Sequence, residues 1–398
     1  MVYLDHAATT PLLPEALAAV TAELGLVGNP SSLHAAGRRA RRIVEESREL
    51  VAASFGARPS EVVFTAGGTE ADNLAVKGLY WARNATRDGI GVRRPRIIAS
   101  PVEHHAVLDP LRWLVEHEGA VIDWLPVDRL GRVDPGDVEA LLADDPDSVA
   151  FITVMWANNE VGTIQQVHRI AQAGRAAGVP VHSDSVQAAG HLQLDFAASG
   201  LDAMTITGHK IGGPLGIGAL LLGRGTDLTP LRHGGGQERD VRSGTLDTPS
   251  ISGFAAAADV VARTCAQRAE HLAELRDALV AGVLHAVPDA QLNGDPAPEG
   301  RLPGNAHFSF PGCEGDSLLL LLDARGIECS TGSACSSGVA EPSHVLLAMG
   351  SGVEAARGSL RFSVGHTSTA ADVAAVAEAI GPVVERARGA RLASAKGS

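Results

Sequence analysis

A lysine, an aspartate, a glycine turn and a histidine pair each sit where strand-like runs give way to glycine or polar punctuation. Lys210 lies in "TGHKIGGPLGIG", directly after a β-like stretch. No G-x-x-x-x-G-K-[ST] spacing is present, so this is not a nucleotide-binding loop. The lysine is either a solvated loop residue or an amine able to form a Schiff base with an aldehyde. Asp184 in "HSDS" ends another apolar run. A carboxylate there either caps the following turn or keeps a pyridine nitrogen protonated. "TAGGTE" puts Gly67, Gly68 and Thr69 at a strand-to-helix turn. That is a tight turn with Thr69 as N-cap, or a cradle whose amides and hydroxyl hold a phosphate. "VEHHAV" supplies His104 and His105, either of which can stack on a flat ring or move protons. Adjacent side chains rarely converge on one ion, so a metal pair is disfavoured and no metal is expected. A phosphate turn, a ring-nitrogen acid, a Schiff-base lysine and a stacking histidine together describe a pyridoxal 5'-phosphate site.

Cys335 poses a different question. It lies within "IECSTGSACSSGVAEPSHVL" (327–346), among serine, glycine, alanine and threonine. A buried cysteine packs as a small hydrophobe among apolar neighbours, whereas this stretch reads as a mobile loop. An exposed thiol there invites oxidation unless it has a task. Cys329 lies close by, but its spacing to Cys335 diagnoses neither a disulfide nor a metal site.

The surrounding pattern supplies a scaffold. Strand-like runs fall at 61–64, 96–100, 120–127, 149–156, 179–185, 203–208 and 217–223, with helical periodicity at 38–55 and 164–178. Such alternation predicts an α/β fold with a mostly parallel sheet covered on both faces, whose ligands gather at the carboxyl ends of the strands. A long Ala/Leu-rich helix over 251–287 leads to "NAHFSF", a leucine-rich segment, the cysteine loop and "GSLRFSVG", a smaller α+β unit. The tail "RARGARLASAKGS" reads as frayed.

With 398 residues the chain favours two domains. The division expected is a large cofactor-binding domain over 13–260 and a small domain from 1–12 and 261–398, with the mobile cysteine loop at about 328–340. Acidic residues outnumber basic ones 46 to 33, a formal charge of −13. That argues against a direct grip on nucleic acid or on an anionic membrane. The N-terminus lacks the basic and apolar regions of a secretory signal. The run Leu318–Leu322 is far too short to span a membrane. Four cysteines (Cys265, Cys313, Cys329 and Cys335) contain no CxxC pair, which suits a reducing cytoplasm.

The motifs also occur together. "YLDHAATTP", "GNPSSLHAAGRRAR", "FTAGGTEADNLAVKG", "EHHAVLD", "WANNEVGT", "HSDSVQAAG", "TGHKIGGPLGIGAL", "HGGGQERDVRSGTL", "STGSACSS" and "RFSVGHTS" follow in this order over most of the chain. In this combination the sequence resembles the cysteine desulfurases of the NifS/IscS type, group I, within the class V aminotransferases. It looks most like the housekeeping members of actinobacteria. The resemblance implies fold type I of the pyridoxal-phosphate enzymes, with a mostly parallel seven-stranded sheet.

It also implies roles. Lys210 matches the Schiff-base lysine, His104 the ring-stacking histidine and Asp184 the partner of the pyridine nitrogen. Asn159 and Gln187 match contacts to the ring hydroxyl, Asn159 also lying near substrate. Gly68, Thr69, Thr207 and His209 match the phosphate set. Thr245 matches a threonine that reaches the phosphate of the other subunit, which implies a homodimer. Arg361 matches the arginine that binds the substrate carboxylate. Cys335 matches the nucleophile, which takes sulfur from L-cysteine as a persulfide, leaves L-alanine and passes the sulfur on. The acceptors implied are an iron–sulfur scaffold or a tRNA-thiolating enzyme. A selenocysteine lyase or an aminotransferase of the same family is the alternative. The sequence departs from the family pattern at Gly212, often a tyrosine, and in lacking the apolar tail with which proteobacterial members dock their scaffold.

Overall fold

The computed structural model describes residues 1–85, 93–331 and 342–395, the last five by backbone alone. The chain opens with β1 (Val2–Tyr3) and then builds one large sheet. Its strands are β2 (Val62–Thr65), β3 (Arg96–Ala99), β4 (Val121–Trp124), β5 (Val149–Thr153), β6 (Val181–Asp184), β7 (Ala203–Thr207) and β8 (Gly218–Leu222). They run in the order β2-β8-β7-β6-β5-β3-β4. Only β8 is antiparallel to its neighbours, so the other six point the same way. Every residue of β2, β5, β6 and β7 is buried, as expected of strands roofed by helices on both faces. β4, at the edge, keeps Val121 and Trp124 exposed.

The direction of these strands matters more than their number. β2, β3, β5, β6 and β7 all deliver their carboxyl ends to one edge, and the segments that follow them carry the chemistry-bearing motifs. Helix Gly68–Asn84 starts directly after β2, and His104 caps helix His105–Glu118 after β3. Asp184 is the last residue of β6, and Lys210 lies just beyond β7.

Two separate cores share one helix. Thr248–Ala286, 39 residues long, puts Ile251, Phe254 and Val261 into the core of the large sheet. Its second half puts Leu272, Leu275, Leu279 and Val283 into another core. There β9 (Gln291–Asn293), β10 (Asn305–Ser309) and, after β11 (Ile327–Glu328), β12 (Ser359–Ser363) complete the fold. β12, β10 and β9 form an antiparallel sheet in that order, while β1 pairs in parallel with β11. Leu4 is buried in this second core, so the N-terminus is packed far along the chain from its own sequence neighbours. Phe308 and Phe362 meet edge to face at 6.3 Å.

The tail differs from expectation. Helix Ala370–Ala395 continues through ten of the thirteen residues read as frayed. Val383, Val384 and Ala387 are buried in the second core, and that anchorage carries the helix past the polar composition of its end.

Truncating Phe308, which is fully buried, leaves a cavity that two neighbouring rings cannot fill. Phe308→Ala is expected to cost about 3–5 kcal/mol, read as a lower urea midpoint at unchanged slope.

Candidate active site

A cavity of about 250 Å³ opens at the carboxyl edge of the large sheet. Nine of the expected residues line it: Gly68, Thr69, His104, Asn159, Asp184, Gln187, Thr207, His209 and Lys210. Arg361 and Thr245 do not. Arg361 stands behind the wall, donating from Nη1 to the Asn159 carbonyl at 2.9 Å. Thr245 is exposed on the segment before helix Thr248–Ala286. Cys335 lies outside the described residues.

The N-terminal segment closes one side of the cavity. Lys210 Nζ donates to the Ala7 carbonyl at 2.7 Å, and Gln187 Nε2 donates to the same oxygen at 2.8 Å. Asp5 Oδ1 accepts from Arg361 Nη2 at 2.7 Å. Burial brings the Lys210 ammonium down to about 8, with Arg361 pushing the same way against Asp184 and Asp5. The amine is therefore half free near pH 8, the state a Schiff-base lysine requires.

Three buried carboxyls surround the floor. Asp184 accepts from the Val186 amide at 2.9 Å, and burial still raises its carboxyl above the usual range. Asp72, one turn into helix Gly68–Asn84, is driven well up by burial and by Asp184 beside it. Its Oδ1 has no hydrogen-bond partner. Glu103 accepts from the Met155 amide at 2.6 Å, leaves Oε2 without a partner, and is likewise raised well above normal by burial. His182, pushed down to about 3 by burial, is neutral and bonded at both ring nitrogens to Thr153 and Thr205. Like charges packed together cannot all ionise, and burial raises all three; Asp184 has Lys210 near enough to favour its charged form.

His104 is also neutral, brought down to about 4 by burial and by Lys210. Its Nδ1 accepts from the Ala106 amide at 3.1 Å, which places the ring proton on Nε2. At the opposite end, the first turn of helix Gly68–Asn84 points its amides toward the cavity with Thr69 and Thr207 beside them. Gly68 sits close against the wall: a Cβ there would stand 3.0 Å from Val186 Cγ2.

Asp72, Glu103 and Asp5 were not among the expected site residues. "EADN" and "EHH" did place two of the acids one turn from Thr69 and next to His104. Asp5 gave no local signal, because its partner Arg361 is 356 residues away. Cys329 sits at the end of β11, buried in the second core, its thiol pushed up to about 12 mainly by burial. Gly212, where the resemblance leads to the expectation of a tyrosine, has φ +85°, and a Cβ built on it would stand 2.6 Å from Leu13 Cγ. In this chain the side chain of Leu13 takes that space.

Lys210 in the cofactor-free protein is expected to be reductively methylated half-maximally near pH 8, where an ordinary lysine needs about pH 10. Removing the positive neighbour by Arg361→Met raises that midpoint, and removing the negative one by Asp184→Asn lowers it. Peptide mass spectrometry across a pH series reads both signs.

Comparison with known proteins agrees with this architecture. Residues 2–376 match the family model described as aminotransferase class-V. An IscS-like cysteine desulfurase of Mycobacterium tuberculosis is 58% identical over 398 residues, covering 100% of both chains. A cysteine desulfurase IscS of Dictyoglomus turgidum is 42% identical, covering 97% of this chain and 95% of that one. Among solved structures, a NifS-like protein superposes with a TM-score of 0.86 at 32% identity, covering 97% of this chain and 99% of that one. The chain therefore belongs to the class V aminotransferase family, among its cysteine desulfurases of the IscS/NifS type.

Proposed function

We propose that the chain removes sulfur from L-cysteine, releasing L-alanine, with pyridoxal 5'-phosphate as its resident cofactor and Cys335 as the sulfur-accepting nucleophile. The cavity fits that cofactor in its donor set. Asp184 is a buried carboxylate with acceptor capacity left for a protonated ring nitrogen. Lys210 offers an amine poised near pH 8, and the helix start at Gly68–Thr69 offers amides and a hydroxyl to a phosphate. The cofactor supplies an electron sink for the carbon bearing the amino group.

The residues of the chain do the rest. Arg361 binds the substrate carboxylate on leaving Asp5 and the Asn159 carbonyl, the partners that hold its guanidinium behind the cavity wall. Lys210 takes the proton from the substrate α-carbon, and His104, neutral with its proton on Nε2, moves protons at the cavity wall. Cys335, as thiolate, attacks the substrate sulfur. A sulfur–sulfur bond forms, the carbon–sulfur bond breaks with its electron pair going to carbon, and protonation of that carbon, with return of a proton to the α-carbon by Lys210, completes alanine.

One observation favours a desulfurase over an aminotransferase of the same family. Both described flanks of the cysteine-bearing segment are tied to residues beside the cavity. Ser330 exchanges backbone hydrogen bonds with Arg361 at 3.1 and 2.7 Å. Ser343 donates to Glu160, next to Asn159, and His344 Nε2 meets the carbonyl of Glu103, next to His104, at 2.9 Å. The sequence between those flanks carries a cysteine, for which an aminotransferase has no use.

The wider reading is of a homodimer in which Thr245 serves the partner's phosphate site. The large unit (13–260) would carry the cofactor and the small one (1–12 and 261–398) the cysteine. We place the protein in the cytoplasm, delivering sulfur to iron–sulfur cluster assembly or tRNA thiolation. None of the described helices is long and apolar enough to cross a membrane.

With L-cysteine and reductant, the native protein is expected to release alanine and sulfide together, and Cys335→Ala to lose sulfide release by more than about a hundredfold while keeping its cofactor. Sulfide release from the variant at the native rate would remove Cys335 from the mechanism.

A further inference from the structure

Glu238, Arg239 and Asp240 have φ of 49°, 58° and 63°. Three consecutive non-glycine residues in the left-handed region are costly, and such a turn persists only where its surroundings over-determine it. Here they do. Glu238 is 5% exposed, yet its carboxylate receives Arg48 Nη1 at 2.9 Å and Nη2 at 2.6 Å, and the Phe64 amide at 2.7 Å. Arg48 lies over the Phe64 ring, 4.7 Å from its centroid, and donates to the Val62 carbonyl, as Arg239 also does. A buried ion pair contributes little net stability after desolvation; fixing register is its best-attested use.

What it fixes is the segment leading to Thr245. The far side of that segment is held on the phosphate turn itself. Arg242 makes a bidentate pair with Glu70 at 2.8 and 3.1 Å, and Glu70 accepts from the Ala66 amide at 2.6 Å. Gln237 Oε1 accepts from the Gly244 amide at 2.9 Å, closing the loop on itself. The loop borders an open cavity of about 660 Å³, and Thr245 at its end is exposed and lines neither that cavity nor the one around Lys210 in its own chain.

We propose that Glu238 and Arg48 are positioning residues that hold 236–245 as a rigid arm, so that each chain presents Thr245 to the cofactor phosphate of a second copy. This rests on the shared-site homodimer read above. Because the arm serves the other copy, a defect in it weakens cofactor binding at the partner's site and leaves the site of its own chain intact.

Mixed dimers test this. Lys210→Ala removes the visible Schiff-base band from the chain that carries it. Pairing that chain with a Glu238→Gln chain therefore leaves one readable site, in the altered-arm chain and served by a native arm. Pyridoxal phosphate is titrated against this band. The Glu238→Gln homodimer is expected to bind roughly tenfold or more weakly, the loss of a hydrogen bond to a charged group. The mixed dimer is expected to bind with native affinity. A mixed dimer as weak as the homodimer, or a homodimer with native affinity, overturns the proposal. Should Glu238→Gln fail to fold, an Arg239→Gly, Asp240→Gly double variant frees the turn without touching the carboxylate and carries the same expectations. Thr245→Ala in the same format separates the two readings. If its defect is not repaired in the mixed dimer, the shared site itself fails; if it is repaired and that of Glu238→Gln is not, only the arm fails.

Discussion

Lys210 is held near pH 8 by a balance of opposing forces: burial and Arg361 strip its proton, while Asp184 and Asp5 retain it. Each participant arrives from a different part of the fold. Asp184 ends a central strand, Arg361 lies on β12 of the second sheet, and Asp5 follows β1. The two sheets and the N-terminal segment must therefore stay packed together for the amine to keep its character. The Ala7 carbonyl, which receives both Lys210 and Gln187, is the mechanical counterpart of that electrostatic balance.

The cost of this arrangement is a polar floor in a place where apolar side chains would be more stable. Asp72, His182 and Glu103 are buried at the carboxyl edge of the sheet, and the structure accommodates them by neutralisation and by hydrogen bonding to Thr153, Thr205 and Met155. Burial disfavours charge on all of these carboxyls, and Asp184, which faces the cavity, has Lys210 beside it to favour the ionised form. The same economy appears at Arg48 and Glu238, where a full ion pair is buried to hold a backbone shape that would otherwise relax.

Much of this was legible in the sequence because the chemistry sits at the ends of regular elements. Apolar, strand-like runs broken by glycine or polar residues place the strands to within a few residues. Lys210, Asp184, Thr69 and His104 stood out because each follows such a break. The reading of 120–127 as strand shrank to β4, with Pro126 just beyond its end. What stayed hidden was of two kinds. Asp5 and Ala7 act through contacts hundreds of residues away, which no local pattern records. The left-handed turn at Glu238 gives no signal either, because that conformation is expected of glycine and the residues here are charged. The end of the terminal helix stays hidden for a third reason: two of its three anchoring residues, Val383 and Val384, lie before the polar stretch that suggests fraying.

The chain has three lysines, at 77, 210 and 396, and of the two that are described, Lys210 faces the cavity and Lys77 does not. Borohydride reduction of the purified, cofactor-loaded protein, followed by peptide mass spectrometry, reads directly which amine holds the pyridoxal group. The account predicts one pyridoxyl modification per chain, on Lys210. Modification at Lys77 or Lys396 in its place, or none at all, would contradict it.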